Sequence, residues 1–476
     1  MTLLNQPSVG AGSQDSHIPD PWPAPLAKEP LEAEVTIPGS KSLSNRYLIL
    51  AALGTSPVSL VGMLRSRDTR LMLDALRALG VSCIEDPFEG TTVQVNPPVD
   101  GRFHGVVDVF CGLAGTVMRF VPGLALFADG PVRFDGDAQA YARPMEPLLD
   151  GLVQLGAQVS FDGQPGRLPF TVTPPAELAG SDGARPVVSI DASSSSQFVS
   201  GLLLIGSKLP SGLELRHVGE SLPSMPHIRM TMEDIRQAGG SVSMPEPGVW
   251  VVEPHALAMP LEVVVEPDLS NAAPFLGAAL IAGGSVSVPN WPAHTTQPGG
   301  LLPFMLANMG ATVTLDDRPF NSTEDMALFP NGYSGLLTVS AGERLLGLGS
   351  FDMSAAGEIA PSIAALATLA SSDMALHGIG HLRGHETDRL AALVTEIRRV
   401  GGIAEELEDG IAIHAVPASA LHGAVMDTYA DHRMATFAAM LGLRIPGIQV
   451  KDVLTTRKTI PDFVGLWTRM LEQVQR

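Results

Sequence analysis

A strand-like segment that recurs six times is the feature that most restricts how this chain can fold. Each copy is a run of four residues after a turn, and an amphipathic helical stretch follows it within about 15 to 25 residues. The copies lie at residues 57–60, 131–134, 212–215, 285–288, 373–376 and 447–450. Because the spacing of roughly 70 to 90 residues exceeds solenoid periods, each copy is predicted to belong to a βαβ-type unit.

Five of the predicted helices end in a glycine that precedes a new strand. These glycines are Gly80, Gly156, Gly239, Gly310 and Gly401. Glycine enters the left-handed turn that closes a helix without steric cost. Since single cores rarely grow beyond about 250–300 residues, the 476-residue chain is predicted to form two α/β domains of three units. An ordinary α/β chain with coincidental glycines at its helix ends is the alternative.

The charge balance excludes one class of partner and sets a condition on any binding site. The chain has 30 basic and 50 acidic residues, which gives a formal charge of −20. Nucleic-acid-binding proteins carry a basic footprint, which this sequence lacks. An anionic substrate would be repelled unless basic groups were concentrated in a cleft.

Several features indicate a soluble cytoplasmic protein. Cys83 and Cys111 have no metal-ligand spacing and fit a reducing compartment. Residues 1–33 are rich in Pro, Asp, Gln and Ser, lack the pattern of a signal or transit peptide, and are predicted to form a disordered tail. The most apolar runs, residues 272–283 and 359–370, are too short to span a bilayer, so no membrane association is expected.

Residues 39–46 (GSKSLSNR) form the first candidate anion site. They follow a predicted strand and open a helix, and a helix N-terminus presents free N–H groups and a positive dipole end to an anion. Lys41, Ser42 and Arg46 add charge and hydrogen-bond donors. The segment is not a Walker A loop, because Ser40 occupies the position of the required glycine. Alone, it fits a serine-capped helix with solvated charges better than a ligand site.

The same chemistry recurs at other predicted helix starts, which favours a shared anion site. Cations there oppose the preference of the helix dipole. The segments are residues 112–119 (GLAGTVMR), Arg143 before Pro144, residues 193–197 (SSSSQ), Ser224, residues 384–389 (GHETDR), residues 429–434 (YADHRM) and residues 456–459 (TRKT). Ser224 could be only a helix cap, and Glu386 with Arg389 only a surface ion pair in a first helical turn.

A metal site is not expected. His377, His381 and His385 are spaced four apart, but the glycines at 378, 380 and 384 make a continuous helix there improbable.

In their order and spacing, GSKSLSNR, GLAGTVMR, SSSQ, HETDR and DHRMA resemble the 3-phosphoshikimate 1-carboxyvinyltransferases, or EPSP synthases. The resemblance runs from about Val35 to the end of the chain. It implies two similar domains, each of three βαβ-like repeats, that close over a cleft as an inside-out α/β barrel. One domain would comprise residues 41–267, and the other residues 34–40 with 268–476.

The resemblance also implies a reaction and a set of site residues. The enolpyruvyl group of phosphoenolpyruvate would be transferred to the 5-hydroxyl of shikimate 3-phosphate by addition and elimination, without a metal or organic cofactor, in a protein expected to be a monomer. The implied catalytic residues are Lys41, Glu358, Glu386 and His385. Those implied for shikimate 3-phosphate are Lys41, Ser42, Arg46, Ser195, Ser196, Gln197, Ser224, Glu358 and His385. Those implied for phosphoenolpyruvate are Lys41, Gly115, Thr116, Arg143, Gln197, Arg389, Arg433 and Lys458.

Some positions depart from the pattern of that family. Glu358 stands where Asp is usual, and the other departures are Leu113 for Asn, His227 for Tyr, His381 for Asn and His385 for Lys. Two alternative functions stay open at this point. One is enolpyruvyl transfer to UDP-N-acetylglucosamine, which generally uses a cysteine on a glycine-rich loop. The other is a non-catalytic repeat protein that binds anions.

Overall fold

The chain is described by a computed structural model over residues 18–87, 90–220, 225–384 and 386–473. The described strands form six sheets, and each of the six predicted strand segments lies in a different sheet.

The first two strands come from the predicted tail. They are β1 (Trp22–Pro23) and β2 (Leu31–Glu34). Trp22 is buried against Phe463, and Leu31 pairs in parallel with Gly284 of a later strand. The prediction of a disordered tail over residues 1–33 is therefore wrong from Trp22 onward. The alternating burial of Leu31–Glu34 is a period-two strand pattern, but it is only four residues long.

The first half of the chain contains three units. Unit 1 consists of α1 (Lys41–Leu53), β3 (Val58–Val61), α2 (Arg67–Ala78), β4 (Ser82–Glu85) and β5 (Val93–Asn96). Unit 2 consists of β6 (Val107–Phe110), α3 (Gly115–Phe120), β7 (Val132–Asp135), α4 (Glu146–Gln154), β8 (Gln158–Phe161) and β9 (Phe170–Thr173). Unit 3 consists of β10 (Val187–Ile190), α5 (Ser196–Gly206), β11 (Leu213–His217), α6 (Met225–Gln237), β12 (Ser241–Glu246) and β13 (Val249–Glu253). Strand β14 (Glu262–Val264) then returns to pair in parallel with β3.

The second half repeats this plan. Unit 4 consists of α7 (Leu269–Ala282), β15 (Gly284–Pro292), α8 (Leu302–Asn308), β16 (Thr312–Leu315), β17 (Arg318–Pro319), α9 (Thr323–Met326) and β18 (Ser334–Ser340). Unit 5 consists of β19 (Gly349–Asp352), α10 (Ala360–Leu369), β20 (Met374–His377), α11 (Arg389–Arg399), β21 (Ile403–Glu406) and β22 (Ile411–His414). Unit 6 consists of β23 (Val425–Met426), α12 (His432–Gly442), β24 (Gln449–Val450) and α13 (Phe463–Glu472).

In every unit the strand after the first helix pairs in parallel with another strand. In units 2, 3, 5 and 6 this partner strand directly precedes the helix and forms the predicted βαβ crossover. Units 1 and 4 take theirs from elsewhere in the chain, from β14 and β2. Units 1 to 5 add an antiparallel hairpin, whereas β1 completes the sheet of unit 6.

The five predicted helix-ending glycines all have left-handed backbones, which confirms their role. Their φ angles are 87° at Gly80, 96° at Gly156, 80° at Gly239, 105° at Gly310 and 88° at Gly401.

Three helices lie at the centre of each domain, with the sheets outside them. Helices α1, α3 and α5 contact one another in the first half, as do α7, α10 and α12 in the second. These helices are buried on all sides, since every residue of the stretches 43–53 in α1 and 432–442 in α12 is buried. A helix that is buried on all sides belongs to the interior of a protein. No helix in the described ranges is long and apolar enough to span a membrane.

The buried apolar residues form two cores. One core contains residues between Leu43 and Val265, and the other contains residues from Trp22 to Ile37 and from Leu269 to Met470. The chain passes between the cores twice, and the two passages are hydrogen-bonded side by side: Ser40 N–H donates to the Glu266 carbonyl at 2.8 Å, and Asp268 N–H to the Pro38 carbonyl at 2.9 Å.

Candidate active site

A cavity of about 910 Å³ lies between the two domains. The N-termini of all six central helices border it, through residues that lie within two positions of the first residue of each helix: Lys41, Gly115, Ser196, Asp268, Glu358 and His432. Since each N-terminus presents unpaired N–H groups and a partial positive charge, their convergence creates a strong anion-binding field.

Fourteen of the sixteen site residues predicted from the sequence line this cavity. They are Lys41, Ser42, Arg46, Gly115, Thr116, Arg143, Ser195, Ser196, Gln197, Glu358, Glu386, Arg389, Arg433 and Lys458. The remaining two, Ser224 and His385, lie outside the described residues.

Cations outnumber carboxylates around the cavity. Among the described residues that line it are seven Lys and Arg side chains: Lys41, Arg46, Arg119, Arg143, Arg389, Arg433 and Lys458. Four carboxylates accompany them: Asp68, Asp268, Glu358 and Glu386. A cleft with this local excess of positive charge can attract anions although the whole chain carries a formal charge of −20.

Lys41 and Arg46 belong to α1, which Ser40 caps by accepting a hydrogen bond from the Leu43 N–H at 3.4 Å. Lys41 Nζ lies 3.5 Å from the Asp68 carboxylate. Arg46 is buried; its Nε donates to Thr231 at 2.8 Å, and another guanidinium nitrogen donates to the His227 carbonyl at 3.2 Å. These bonds fix the Arg46 guanidinium at the floor of the cavity.

Asp234 lies behind Arg46, with a carboxylate oxygen 3.9 Å from the Arg46 Nε. Burial raises the pKa of Asp234 to about 8, because the attraction of Arg46 offsets only part of the cost of desolvation. Arg46 therefore has a largely protonated carboxyl group as its neighbour at neutral pH.

Arg119 and Arg143 converge at the start of α3. Arg119 donates to Gln197 Oε1 at 2.8 Å, and Arg143 donates to the Leu113 carbonyl at 3.3 Å. Burial, and then the repulsion of Arg143, lower the pKa of Arg119 to about 10. A Cβ at Gly115 would lie 3.1 Å from Arg119 and 3.2 Å from Arg143, so glycine leaves room for the two guanidinium groups to approach the helix N-terminus.

Glu358 lies in the turn before α10, and groups from both domains surround it. One carboxylate oxygen is 3.1 Å from the His227 Nε2, and the other is 3.7 Å from Arg433. Arg433 is itself held by a 2.8 Å hydrogen bond to the Ser270 carbonyl. Burial raises the pKa of Asp268, which caps α7 beside this group, although Arg433 partly opposes the shift.

Arg389, Lys458 and Glu386 form an ionic network. Arg389 donates to Asp431 at 2.7 Å and to Glu386 at 3.0 Å, and Lys458 donates to the other Glu386 oxygen. Burial alone would raise the pKa of Glu386, but Lys458 and Arg389 together hold it well below its usual range. Burial, followed by the repulsion of Lys41, lowers the pKa of Lys458.

Two details of this network differ from the sequence prediction. Helix α11 begins at Arg389, because the Asp388 side chain caps it by accepting hydrogen bonds from Leu390 and Ala391 at 3.1 Å. Glu386 therefore precedes the helix and is not part of its first turn. Lys458 ends a 3₁₀ turn, Val453–Lys458, and does not start a helix.

Six charged or titratable cavity residues were given no site role from the sequence: Asp68, Arg119, His227, Asp268, His381 and His432. Arg119 could have been found, because it lies four residues after Gly115 and so on the same helix face. Asp68 offered no comparable signal, since it reads as an ordinary acidic residue in the first turn of α2.

Neither Cys83 nor Cys111 is among the described residues that line the cavity. Both are buried, and burial raises the pKa of the Cys83 thiol to about 11 and that of Cys111 further. Within the described part of the chain, no group of three or more His, Cys, Asp or Glu residues is arranged to hold a metal ion.

The family model and the most similar relatives found in comparisons with known proteins agree on one family. The model of the family EPSP synthase (3-phosphoshikimate 1-carboxyvinyltransferase) matches residues 26–467. The 3-phosphoshikimate 1-carboxyvinyltransferase of Bifidobacterium longum is 65% identical over 454 residues, which cover 95% of this chain and 98% of the relative. The enzyme of the same name from Kocuria rhizophila is 47% identical over 458 residues, covering 95% and 97%.

Solved structures show the same fold. EPSP synthase from Acinetobacter baumannii matches with a TM-score of 0.76 and 23% identity, over 94% of this chain and 97% of that one. The enolpyruvyl transferase NikO from Streptomyces tendae matches with a TM-score of 0.65 and 17% identity, over 94% and 96%. These likenesses confirm the predicted two-domain, inside-out α/β architecture.

Proposed function

The chain belongs to the EPSP synthase family, and from that premise we propose how the residues of its cleft divide the work of catalysis. The enzyme transfers the enolpyruvyl group of phosphoenolpyruvate to the 5-hydroxyl of shikimate 3-phosphate and releases inorganic phosphate.

One observation supports the proposed division of roles more than any other. Six helix N-termini and seven cationic side chains converge on a single cavity, and the Glu358 carboxylate lies among them. Two phosphorylated, carboxylated substrates carry several negative charges, and charge-assisted hydrogen bonds from Arg and Lys are the strong means of holding such groups.

We assign phosphoenolpyruvate to the cations from both domains. Arg143, Arg389, Arg433 and Lys458 neutralise its phosphate and carboxylate, and Arg119 joins them because it lies beside Arg143 at the same helix start. The remaining contacts are Lys41, Gly115, Thr116 and Gln197.

Shikimate 3-phosphate is assigned mainly to the first domain. The α1 start supplies Lys41, Ser42 and Arg46, and the α5 start supplies Ser195, Ser196 and Gln197. Hydroxyl and amide groups at a helix start can bind a phosphate and ring hydroxyls without adding like charges. Ser224 and His385 are proposed from the sequence alone, and Glu358 faces the reacting hydroxyl.

The reaction then follows in two steps. Glu358 accepts the proton of the 5-hydroxyl while the hydroxyl oxygen bonds to C2 of phosphoenolpyruvate, and the double-bond electrons take up at C3 a proton that Lys41 donates. In the second step the C2–O bond to phosphate breaks, inorganic phosphate leaves, and Lys41 takes back a C3 proton as the double bond re-forms. The protein contributes positioning, charge neutralisation and proton transfer.

The ionic network suggests how the second proton is handled. Lys41 and Glu386 are proposed as partners of Glu358 in moving protons. Because the pKa of Glu386 is held low, Glu386 is suited to stay ionised and orient Lys458, while the lowered pKa of Lys458 makes its ammonium group a better donor.

Phosphate release tests the choice of acceptor. The enzyme is incubated with phosphoenolpyruvate and either shikimate 3-phosphate, UDP-N-acetylglucosamine or no acceptor, and turnover is expected only with shikimate 3-phosphate. Turnover only with the sugar nucleotide would overturn the assignment. The buried cysteines argue against that outcome, because neither is among the described residues that line the cavity.

We further propose that the enzyme is a cytoplasmic monomer. Its domains would span residues 41–267 and residues 34–40 with 268–476, which the division of the buried apolar residues into two cores supports. Light scattering on a sizing column should give the monomer mass of 49.9 kDa. Twice that mass would contradict the monomer.

A further inference from the structure

The chain enters α12 through two residues with a strained backbone. Tyr429 and Ala430 have φ angles of 55° and 56°, in the left-handed region that a residue with a Cβ rarely adopts. Directly after them, Asp431 caps α12 and Arg433 lines the cavity. Such a turn persists only where its surroundings fix it, because a relaxed conformation is lower in energy. The groups that contact this turn therefore control where α12 begins.

Glu396 of α11 binds the turn at two points. Its Oε1 accepts a hydrogen bond from the Tyr429 hydroxyl at 2.8 Å, and its Oε2 accepts one from the Asp427 N–H at 3.2 Å. Arg399 lies 3.0 Å from the same Oε2 and 3.6 Å from the Asp427 carboxylate, to which Lys451 also donates at 2.9 Å. The Glu396 side chain is fully buried, so its hydrogen bonds are shielded from water.

A second residue of α11 holds the other side of the turn. Arg389 donates to both oxygens of Asp431, at 2.7 and 3.2 Å. Because Arg389 and Glu396 are about two helical turns apart, they lie on the same face of α11. The Thr455 hydroxyl adds a hydrogen bond to the Ala430 carbonyl at 2.9 Å. Helix α11 thus contacts the chain both before and after its two left-handed residues.

The cavity residue Arg433 is coupled to this turn. Its N–H donates to the Asp431 carboxylate at 2.8 Å, and the same carboxylate binds Arg389. Its guanidinium donates to the Ser270 carbonyl of the central helix α7 at 2.8 Å. A displacement of the α12 start would therefore change where this guanidinium meets an anion, and charge-assisted hydrogen bonds depend on that geometry.

We propose that Glu396 and Tyr429 are positioning residues, whose hydrogen bond keeps the turn before α12 in the conformation that binds phosphoenolpyruvate. The inference rests on the assignment of phosphoenolpyruvate to Arg389 and Arg433. Neither Glu396 nor Tyr429 is among the described residues that line the cavity, so each acts through the turn and not on the substrate. Loss of their bond should weaken the binding of phosphoenolpyruvate more than the chemical step.

Tyr429→Phe is the first test, because it removes one oxygen atom from a side chain that is 38% exposed. Loss of a hydrogen bond to a charged group predicts that the KM for phosphoenolpyruvate rises about 5-fold or more, while kcat changes less. Steady-state kinetics at saturating shikimate 3-phosphate measures both. The dissociation constant for shikimate 3-phosphate, measured by calorimetry, should stay within about 2-fold, because its assigned contacts lie mainly in the other domain.

Two substitutions of Glu396 extend the test. Glu396→Ala removes both hydrogen bonds and should raise the KM for phosphoenolpyruvate about 10-fold or more. Glu396→Gln should recover most of this loss, since its amide oxygen can accept from the Asp427 N–H while its amide nitrogen donates to the Tyr429 hydroxyl. In the Glu396→Ala background, Tyr429→Phe should cost almost nothing more, because both act through one bond. If Glu396→Ala fails to fold, Tyr429→Phe and Glu396→Gln keep the test.

A matched control makes the same exchange at another tyrosine of the second domain. The Tyr333 hydroxyl donates to the Asp316 carboxylate, and neither residue is among the described residues that line the cavity. Tyr333→Phe therefore removes the same kind of bond and should leave the KM for phosphoenolpyruvate unchanged.

The outcomes separate this inference from the proposed function. An unaltered KM for phosphoenolpyruvate in Arg433→Gln would remove the assignment of Arg433 itself. A raised KM in Arg433→Gln together with wild-type values in Tyr429→Phe and Glu396→Ala would overturn only the positioning role. An equal rise in KM in Tyr333→Phe would overturn it as well, because the effect would then be a general loss of stability.

Discussion

The two faces of the cleft place similar cations in different electrostatic settings. On the second-domain face, Arg389, Lys458 and Arg433 each lie within 4.0 Å of a carboxylate. On the first-domain face, no carboxylate in the described ranges forms an ion pair with Arg119 or Arg143. Arg46 does have a carboxyl neighbour, but burial raises the pKa of that group, Asp234, to about 8.

This difference indicates a division between binding and chemistry. Lys41 lies 3.5 Å from the Asp68 carboxylate, but the uncompensated Arg119 and Arg143 on the first-domain face leave positive charge for the anionic groups of the substrates. Carboxylates on the second-domain face hold their cations in fixed orientations and supply sites that accept protons. The helix N-termini contribute the same field on both sides, so the acidic residues distinguish the faces.

The largest effect, a loss of kcat, is expected from a substitution of Glu358 on the second-domain face. Glu358→Ala should lower kcat by at least about 10²-fold, the usual scale for a general acid or base. Binding of shikimate 3-phosphate, measured by calorimetry, should persist, because the first-domain face is untouched. Comparable losses in affinity and in kcat would show that the faces do not divide these roles.

A substitution on the first-domain face should affect substrate binding more than the chemical step. Arg143→Gln is expected to raise the KM for phosphoenolpyruvate about 10-fold or more, the effect of losing a hydrogen bond to a charged group, while kcat changes less. Steady-state kinetics over a range of phosphoenolpyruvate concentrations measures both. Arg133→Gln, which removes an exposed arginine of the same domain from its surface ion pairs, provides the control and should leave KM unaltered.

Local rules explain which parts of the fold could be predicted from the sequence. A helix-ending glycine such as Gly80 and a strand after a turn are specified by a few neighbouring residues, and so were located correctly. Helix starts rich in Gly, Ser, Lys and Arg are also local, and for that reason most of the predicted site residues lie at one cavity.

The missed features depend on contacts between distant parts of the chain. Strand β2 is four residues long, and its partner β15 begins at Gly284, so composition alone made it part of a tail. The pairing of Arg389 with Asp431, and the hydrogen bond between His227 and Glu358, join different units and cannot be read from spacing. Likewise, Asp268 becomes a cavity residue only because two chain passages lie side by side.

The pH dependence of stability tests whether Asp234, the carboxyl neighbour of Arg46, is protonated in the folded protein. Burial raises the pKa of Asp234 from 3.8 to about 8. Between those values the folded protein holds a proton that the unfolded chain has lost, so this contribution to stability declines as pH rises through the window. Asp234→Asn carries no such proton. Relative to the wild type, the variant should therefore gain about 1 to 2 kcal/mol in free energy of unfolding between pH 6.5 and pH 8, since one pKa unit corresponds to about 1.4 kcal/mol.

Urea denaturation of both proteins at the two pH values measures this gain. Asp317→Asn, at an exposed position, is the control, and its difference from the wild type should be the same at both values. If the free energy of unfolding of Asp234→Asn differs from that of the wild type by the same amount at both pH values, Asp234 is ionised throughout and compensates Arg46. Arg46 would then not distinguish the first-domain face from the second.

The smallest effect concerns how the helix starts of the two faces are built. On the first-domain face, Ser40 and Ser195 cap α1 and α5 from an extended backbone. On the second-domain face, the chain enters α12 through Tyr429 and Ala430, whose φ angles of 55° and 56° are left-handed. A residue with a Cβ is strained in that region, and this turn leads into the buried cap Asp431 and into Arg433, which lines the cavity.

Relief of this strain should stabilise the protein without moving the helix start. Ala430→Gly is expected to raise the free energy of unfolding by about 0.5 to 1 kcal/mol, because glycine adopts a left-handed backbone without steric cost, which outweighs its greater freedom in the unfolded chain. The same exchange inside α11, Ala391→Gly, should lower the free energy of unfolding by up to about 1 kcal/mol. If thermal or urea denaturation shows that Ala430→Gly raises the free energy of unfolding and Ala391→Gly lowers it, the strain lies at residue 430. A destabilised Ala430→Gly would show that the second-domain helix start, like those capped by Ser40 and Ser195, is formed without strain.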